Sequence, residues 1–139
     1  YSKAENEKLG KNGIYYLSTP CIETSLSYNT CVQDMLLQSW GNKIRVFPAL
    51  PDNWTDIEFH DFRAEGAFLV SAKREQGKTS FIRIKSLAGE PCLVKTSFEG
   101  TPKQVGKKKI KMIDLKDGCY SIDLKEGQEI TLYENKHTQ

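Results

Sequence analysis

The chain has 139 residues, enough to bury the core of one domain of ordinary size. Hydrophobic residues make up 38% and charged residues 27%, which is typical of a globular domain and excludes a disordered chain. The net charge of +2 does not indicate a nucleic-acid partner. The sequence contains no run of about 18 apolar residues, so no membrane-spanning helix is predicted.

The first element predicted in chain order is an amphipathic helix. Residues 1–20 begin polar, without the apolar stretch of a signal peptide, so none is expected there. Apolar residues then recur at helical spacing and predict a helix over 25–40. Thr24 or Ser25 would cap its start and Gly41 would end it. Three apolar residues share one face of this helix and are expected to be buried: Val32, Met35 and Leu36.

Short alternating segments follow the helix and predict an antiparallel β-sandwich over 43–139. Turn signals rich in Gly and Pro separate them. The predicted strands are 44–47, 57–59, 62–65, 67–73, 80–85, 92–96, 109–113, 120–124 and 129–133. The fold class is therefore mainly β, with one α-helix in front.

The motifs of common enzyme chemistry are missing from the sequence. It contains no phosphate-binding loop, dinucleotide fingerprint, nucleophile elbow or zinc-protease helix. Its two histidines, His60 and His137, are too few for a triad or a clustered metal site. His60 is expected to have its polar atoms satisfied within the protein or to face solvent. We therefore expect neither a metal nor a cofactor.

Several residue groups have a structural and a functional interpretation. The four cysteines have no C-x-x-C spacing and are interpreted as small buried hydrophobic residues. The alternative is that they form two disulfides. They are Cys21, Cys31, Cys92 and Cys119. Four aromatic residues are interpreted as core, with sugar stacking as the alternative: Tyr15, Tyr16, Trp40 and Trp54. The lysine run 107–111 predicts a solvated hairpin edge rather than an anion site. Asn53-Trp54-Thr55 fits a glycosylation sequon.

Glu23 is the candidate acid–base residue. It stands immediately before the predicted helix, where the helix N-terminus stabilises negative charge. A carboxylate held ionised in this way can act as a general base. The alternative is a helix-end charge with structural value only.

The segment 23–51, continued by 62–72, resembles the C-terminal end of glycoside hydrolase family 95, the α-L-fucosidase-type enzymes. The resemblance covers residues 21–98 and is most specific in 34–51 and 62–72. The matching residues are Met35 to Ser39, Phe47 to Pro51, Trp54, Arg63, Ala64, Gly66 and Phe68.

This resemblance implies that residues 1–42 are the end of an (α/α)6 helical barrel and that 43–139 are its C-terminal β-sandwich domain. The family's general acid lies upstream. Its base is the Asp of an Asp-Gly-Asn-Phe-Gly motif that falls on residues 23–27, so Glu23 stands in its place as the catalytic candidate. This replacement leaves open a related glycosidase with another substrate. An inverting mechanism needs two carboxyl groups about 6.5–9.5 Å apart, and the chain supplies at most one of them.

The predicted function is that of the C-terminal fragment of a secreted or periplasmic glycoside hydrolase, with the isolated chain structural and non-catalytic. Its expected partners are the upstream barrel and, in the full-length protein, a carbohydrate substrate; neither nucleic acid nor a membrane is expected. The alternative is a non-catalytic β-sandwich module that binds carbohydrate or docks on a partner domain. A cold-shock type of nucleic-acid binder is disfavoured, since no basic and aromatic stripe is present.

Overall fold

A computed structural model describes residues 22–106 and 109–134 of the protein. The chain separates into two compact units, residues 1–31 and 32–139. Helix α1 (Ile22–Leu36) crosses that boundary. The described strands, all in the second unit, are β1 (Leu37–Gln38), β2 (Ile44–Val46), β3 (Ile57–Ala64), β4 (Phe68–Glu75), β5 (Lys78–Ser86), β6 (Pro91–Lys95), β7 (Lys103–Val105), β8 (Met112–Asp114), β9 (Cys119–Asp123) and β10 (Glu129–Tyr133).

The strands form two five-stranded sheets. The first sheet has the order β1-β2-β6-β9-β8, and the second has the order β3-β4-β5-β10-β7. Both sheets contribute to one apolar core, with Val94 and Ile122 from the first sheet and Ile82 and Leu132 from the second, all fully buried. The mainly β fold behind a single described helix is confirmed.

The prediction of an all-antiparallel sandwich is wrong at one pair of strands. Strands β2 and β6 run parallel, with Ile44 opposite Val94. Between them the chain leaves for the second sheet and forms the antiparallel meander β3-β4-β5. A crossover of that length permits a parallel return, which a short hairpin does not.

The helix predicted over 25–40 ends earlier than expected. Helix α1 stops at Leu36, and the next two residues form β1, paired with β2 through Leu37 opposite Val46. Cross-strand pairing therefore overrides the helical spacing of the apolar residues, and Gly41 lies in the β1–β2 turn instead of ending the helix.

The start of α1 and its buried face also differ from the prediction. The described helix runs from Ile22, so Thr24 and Ser25 lie within its bounds and not in front of it. Leu36 is buried as expected, whereas Val32 and Met35 are half-buried. Val32 packs against the core of the second unit.

The first sheet starts upstream of residue 43, where the sequence predicts the β-domain to begin, because β1 belongs to it. The assignment of residues 1–42 to a helical barrel stays a prediction. Within 22–106 and 109–134, no helix has both the length and the apolar character needed to cross a membrane.

Candidate functional site

Glu23 lies in the first turn of α1 and its side chain is exposed. This placement differs by a few residues from the expected position in front of the helix. The electrostatic argument is unchanged, since the unpaired N–H groups of a first turn favour a negative charge. The catalytic role of Glu23 stays a prediction, because its expected partner acid is outside this chain.

The junction between α1 and the first sheet is built by residues of the family resemblance. The Phe47 N–H donates to the Leu36 carbonyl at 2.8 Å, which satisfies one of the free carbonyls at the helix end. Phe47 reaches this position with a left-handed backbone, φ 53°, and its buried ring meets Phe59 edge-on at 5.5 Å. The first residue of the Phe47-to-Pro51 segment therefore has a structural role: it holds the end of α1 against the first sheet.

Gly66 and Phe68 are linked in a similar way. Gly66 has φ 79°, and a Cβ at this position would lie 2.7 Å from the Phe68 ring. Only a glycine gives the β3–β4 turn this conformation and leaves space for the ring. The presence of both Gly66 and Phe68 in the sequence is therefore explained by the packing of the Phe68 ring against the backbone of the β3–β4 turn.

A cleft of about 440 Å³ opens beside that turn. Its polar lining is Asn42, Glu65 and Glu90, and its apolar lining includes Ile44, Phe68 and Leu93. All three polar side chains are exposed. The sequence gives little sign of this cleft, because its polar residues come from three separate turns; the one local signal is the neighbouring Gly66 and Gly89.

Trp40 lies in the connection between β1 and β2, two residues before Asn42 in the sequence. Gly41 and Asn42 both have positive φ, 69° and 56°, the conformation of tight hairpin turns. Trp40 is 63% exposed, so its interpretation as a core residue is wrong. Arg45 stacks on the indole at 4.0 Å, and its Nη1 donates to the carbonyls of Trp40 and Lys43 at 2.9 and 3.2 Å.

The other predicted aromatic residues divide into two groups. Trp54 is half-buried, and its N–H closes a turn by donating to the Pro51 carbonyl at 3.0 Å. Tyr15 and Tyr16 lie outside the described residues.

A polar network holds a bulge in β3. Asp61, with φ 52°, lies where the pairing of β3 with β4 shifts register. Its N–H donates to Ser71 Oγ at 2.9 Å, and that hydroxyl donates to Asp61 Oδ1 at 3.2 Å. Arg83 Nη2 lies 3.1 Å from the same carboxylate. Because Ser71 is only 1% exposed, the network supports the bulge and does not present a nucleophile.

His60 faces solvent, as predicted, with 63% of its side chain exposed. Its Nε2 lies 3.1 Å from Glu58 Oε1, and a neighbouring pair joins Lys73 to Glu75 at 2.7 Å. Within the described part of the chain, no group of three or more His, Cys, Asp or Glu residues has the arrangement of a metal site.

The described part of the lysine run, residues 109–111, does not lie on a hairpin edge. Its described members Lys109 and Lys111 are exposed in the connection from β7, in the second sheet, to β8, in the first. Residues 107 and 108, and likewise His137, lie outside the described residues.

The cysteines differ from one another in exposure. Cys92 is buried, Cys119 is half-buried and Cys31 is exposed, and each of the three is a free thiol. Cys21 lies outside the described residues. The interpretation of cysteines as buried hydrophobes thus holds for Cys92, where burial raises the pKa of the thiol to about 12.

These differences predict selective alkylation. Iodoacetamide at about pH 8 is expected to modify Cys31 in the folded protein and Cys92 only after unfolding, because the thiolate is the reacting form. Mass spectrometry of the two peptides, with and without urea, measures this. Equal modification of both in the folded protein would contradict the burial of Cys92.

The family described as "Glycoside hydrolase family 95, C-terminal domain" matches residues 38–132, from the end of β1 to β10. A comparison with curated proteins found no match.

Proposed function

The chain belongs to the family of glycoside hydrolase family 95 C-terminal domains, and from this membership we propose that it is the β-rich end of a glycoside hydrolase whose catalytic barrel lies upstream. The match over residues 38–132 is the observation that supports the proposal most directly, because it includes nearly all of both sheets. In this proposal the isolated chain is structural and does not catalyse hydrolysis.

The junction at Leu36 supports a mechanical role for the β-domain. Helix α1 passes into β1 without a linker, and the Phe47 N–H is bonded to the last helical carbonyl. A barrel whose final helix is α1 would therefore be joined to the sheets by a short, hydrogen-bonded connection and not by a flexible tether.

Glu23 is the proposed general base of the full-length protein. It would accept a proton from the water that attacks the anomeric carbon, while a carboxylic acid of the barrel protonates the leaving oxygen. The first turn of α1 favours its ionised form, as a base requires. The proposed reaction is inverting hydrolysis of an α-L-fucoside or a related glycoside, and the proposed location is secreted or periplasmic.

The alternative is a non-catalytic module that binds carbohydrate or docks on a partner domain. One observation favours its carbohydrate-binding form: the indole of Trp40 is 63% exposed, and an open aromatic face can stack on a sugar ring. Both proposals place sugar chemistry in the full-length protein, and they differ in which part of it contacts the sugar.

The purified chain is expected to show no enzyme-like hydrolysis of aryl α-L-fucosides. Two carboxyl groups must act together in the inverting mechanism, and the chain supplies at most one of them. Release of the chromogenic aglycone should match the uncatalysed rate for the isolated chain and exceed it for the protein that includes the upstream barrel. Turnover by the isolated chain would refute its structural role.

A further inference from the structure

A cavity of about 750 Å³ lies at the connection that leads from β7 to β8. Strand β7 ends the second sheet and β8 ends the first, so residues of two edge strands line it. Its basic lining is Lys103, Lys109 and Lys111, and its apolar lining includes Ile110 and Met112. A volume of this size is within the usual range of ligand sites, about 300–1,000 Å³.

The charge of this cavity differs from that of the chain as a whole. The chain is nearly balanced, with 20 basic and 18 acidic residues, whereas the described residues that line the cavity include three lysines and no carboxylate. All three lysine side chains are exposed, so each ammonium group can donate hydrogen bonds to a ligand. The cavity therefore favours an anionic group, such as a carboxylate or a sulfate.

Protection of the sheet edge does not account for all three lysines. Lysines on edge strands discourage pairing with another chain, which explains Lys103 on β7. Lys109 and Lys111 lie outside the described strands, in the connection. Between them Ile110 is half-buried and packs against the core, and the Lys111 carbonyl accepts from the Asp123 N–H at 3.4 Å. The backbone that carries these two lysines is therefore anchored at the wall of the cavity.

The lining suits an acidic sugar better than an acidic protein or a nucleic acid. Protein interfaces are depleted in lysine and anchored by aromatic and arginine side chains, and neither type is present among the described lining residues. Single-stranded nucleic acid likewise needs aromatic side chains on which its bases stack. Ile110 and Met112 instead supply apolar surface for the C–H face of a pyranose ring.

We propose that the cavity between β7 and β8 binds an acidic oligosaccharide. Its carboxylate or sulfate groups pair with Lys103, Lys109 and Lys111, and a sugar ring packs on Ile110 and Met112. The choice of a sugar rests on the proposed function, whereas the charge and the apolar lining of the cavity do not. Such a site gives the β-rich end of the protein a role in holding an acidic polysaccharide.

The test is a calorimetric titration of the purified chain at about 0.1 M NaCl, with ligands that separate charge from sugar. Tetragalacturonate supplies carboxylates, a κ-carrageenan tetrasaccharide supplies sulfates, cellotetraose is the neutral sugar, and tetraglutamate is a non-sugar anion with the same net charge as tetragalacturonate. At least one acidic oligosaccharide is expected to bind with a dissociation constant of about 1 mM or less, about tenfold more tightly than cellotetraose or tetraglutamate. Which of the two acidic sugars binds identifies the group that the lysines recognise.

Two double variants provide a matched comparison. Lys109→Gln with Lys111→Gln removes two charges from the cavity, and Lys95→Gln with Lys125→Gln removes two exposed charges elsewhere. The two variants have the same net charge, so a general attraction for polyanions would fall equally in both. The first is expected to weaken binding by about fivefold or more, the loss of two exposed ion pairs, and the second should leave it unchanged. Lys103→Gln, on β7, provides an independent single variant and should also weaken binding.

Three results would overturn the proposal: neither acidic oligosaccharide binds, cellotetraose or tetraglutamate binds as tightly as the acidic sugars, or both double variants weaken binding equally. Equal binding of tetraglutamate would mean that the cavity recognises negative charge and not a sugar. A full-length protein that hydrolyses glycosides, from a chain that binds no acidic oligosaccharide, would overturn this proposal alone. An inactive full-length protein would refute the hydrolase assignment and leave the measured binding standing.

Discussion

Replacing Glu23 by Gln in the protein that includes the upstream barrel is expected to lower glycoside turnover by about 10²–10⁴-fold, the usual contribution of a general base. Gln preserves the size of the side chain and removes the charge, so the attacking water loses its proton acceptor. The melting temperature should fall only slightly, because the charge lost at the helix N-terminus contributes about 0.3–1 kcal/mol. Initial rates on an aryl glycoside that the full-length protein cleaves, with a thermal melt of the same sample, measure both quantities.

Asp34→Asn is the matched control, since Asp34 is an exposed carboxylate on the same helix. Its turnover should equal that of the unaltered protein. A second control uses Glu23→Ala with sodium azide, because azide attacks the anomeric carbon without a base. Recovery of turnover, with a glycosyl azide of inverted configuration as the product, is expected. Unchanged turnover in Glu23→Gln would reduce Glu23 to a helix-end charge.

Strand positions were predictable wherever the alternation of side chains is local. The residues around Ile82 and Ile84 alternate along the sequence, and both are fully buried in β5 as the pattern predicts. Strand β7 was missed, since it has three residues and is defined by pairing with β10, almost thirty positions along the chain. The end of α1 was missed for a related reason: Leu36 and Trp40 have helical spacing, and only pairing with β2 shows that the helix stops between them.

The candidate sites were predictable to different degrees. Glu23 could be identified from the sequence, because two criteria suffice for it: its position at the start of a helix and its alignment with a family motif. The cleft could not, since Asn42, Glu65 and Glu90 lie close together only after three turns have folded. The exposure of Trp40 was not predicted, because residues 37–40 were interpreted as the end of a helix. In the structure Leu37–Gln38 form β1, and Trp40 lies in the connection that follows it.

Truncating a side chain in the centre of the core is expected to cause a large loss in the free energy of unfolding. Leu132 is fully buried in β10, which lies between β5 and β7 in the second sheet, opposite Ile82 and Gln104. Leu132→Ala removes apolar contacts and leaves a cavity that a central strand cannot easily close. The expected loss in free energy of unfolding is about 2–5 kcal/mol, the range for buried Leu→Ala changes.

Leu115→Ala is the same chemical change at a surface position, because Leu115 is 49% exposed in the segment between β8 and β9. Its cost should stay within about 0.5 kcal/mol. Urea unfolding of the three proteins, followed by far-ultraviolet circular dichroism, gives the midpoints and slopes for this comparison. Equal losses in the two variants would contradict the burial of Leu132. A large loss confined to Leu132→Ala would support the packing of β10 in the apolar core to which both sheets contribute.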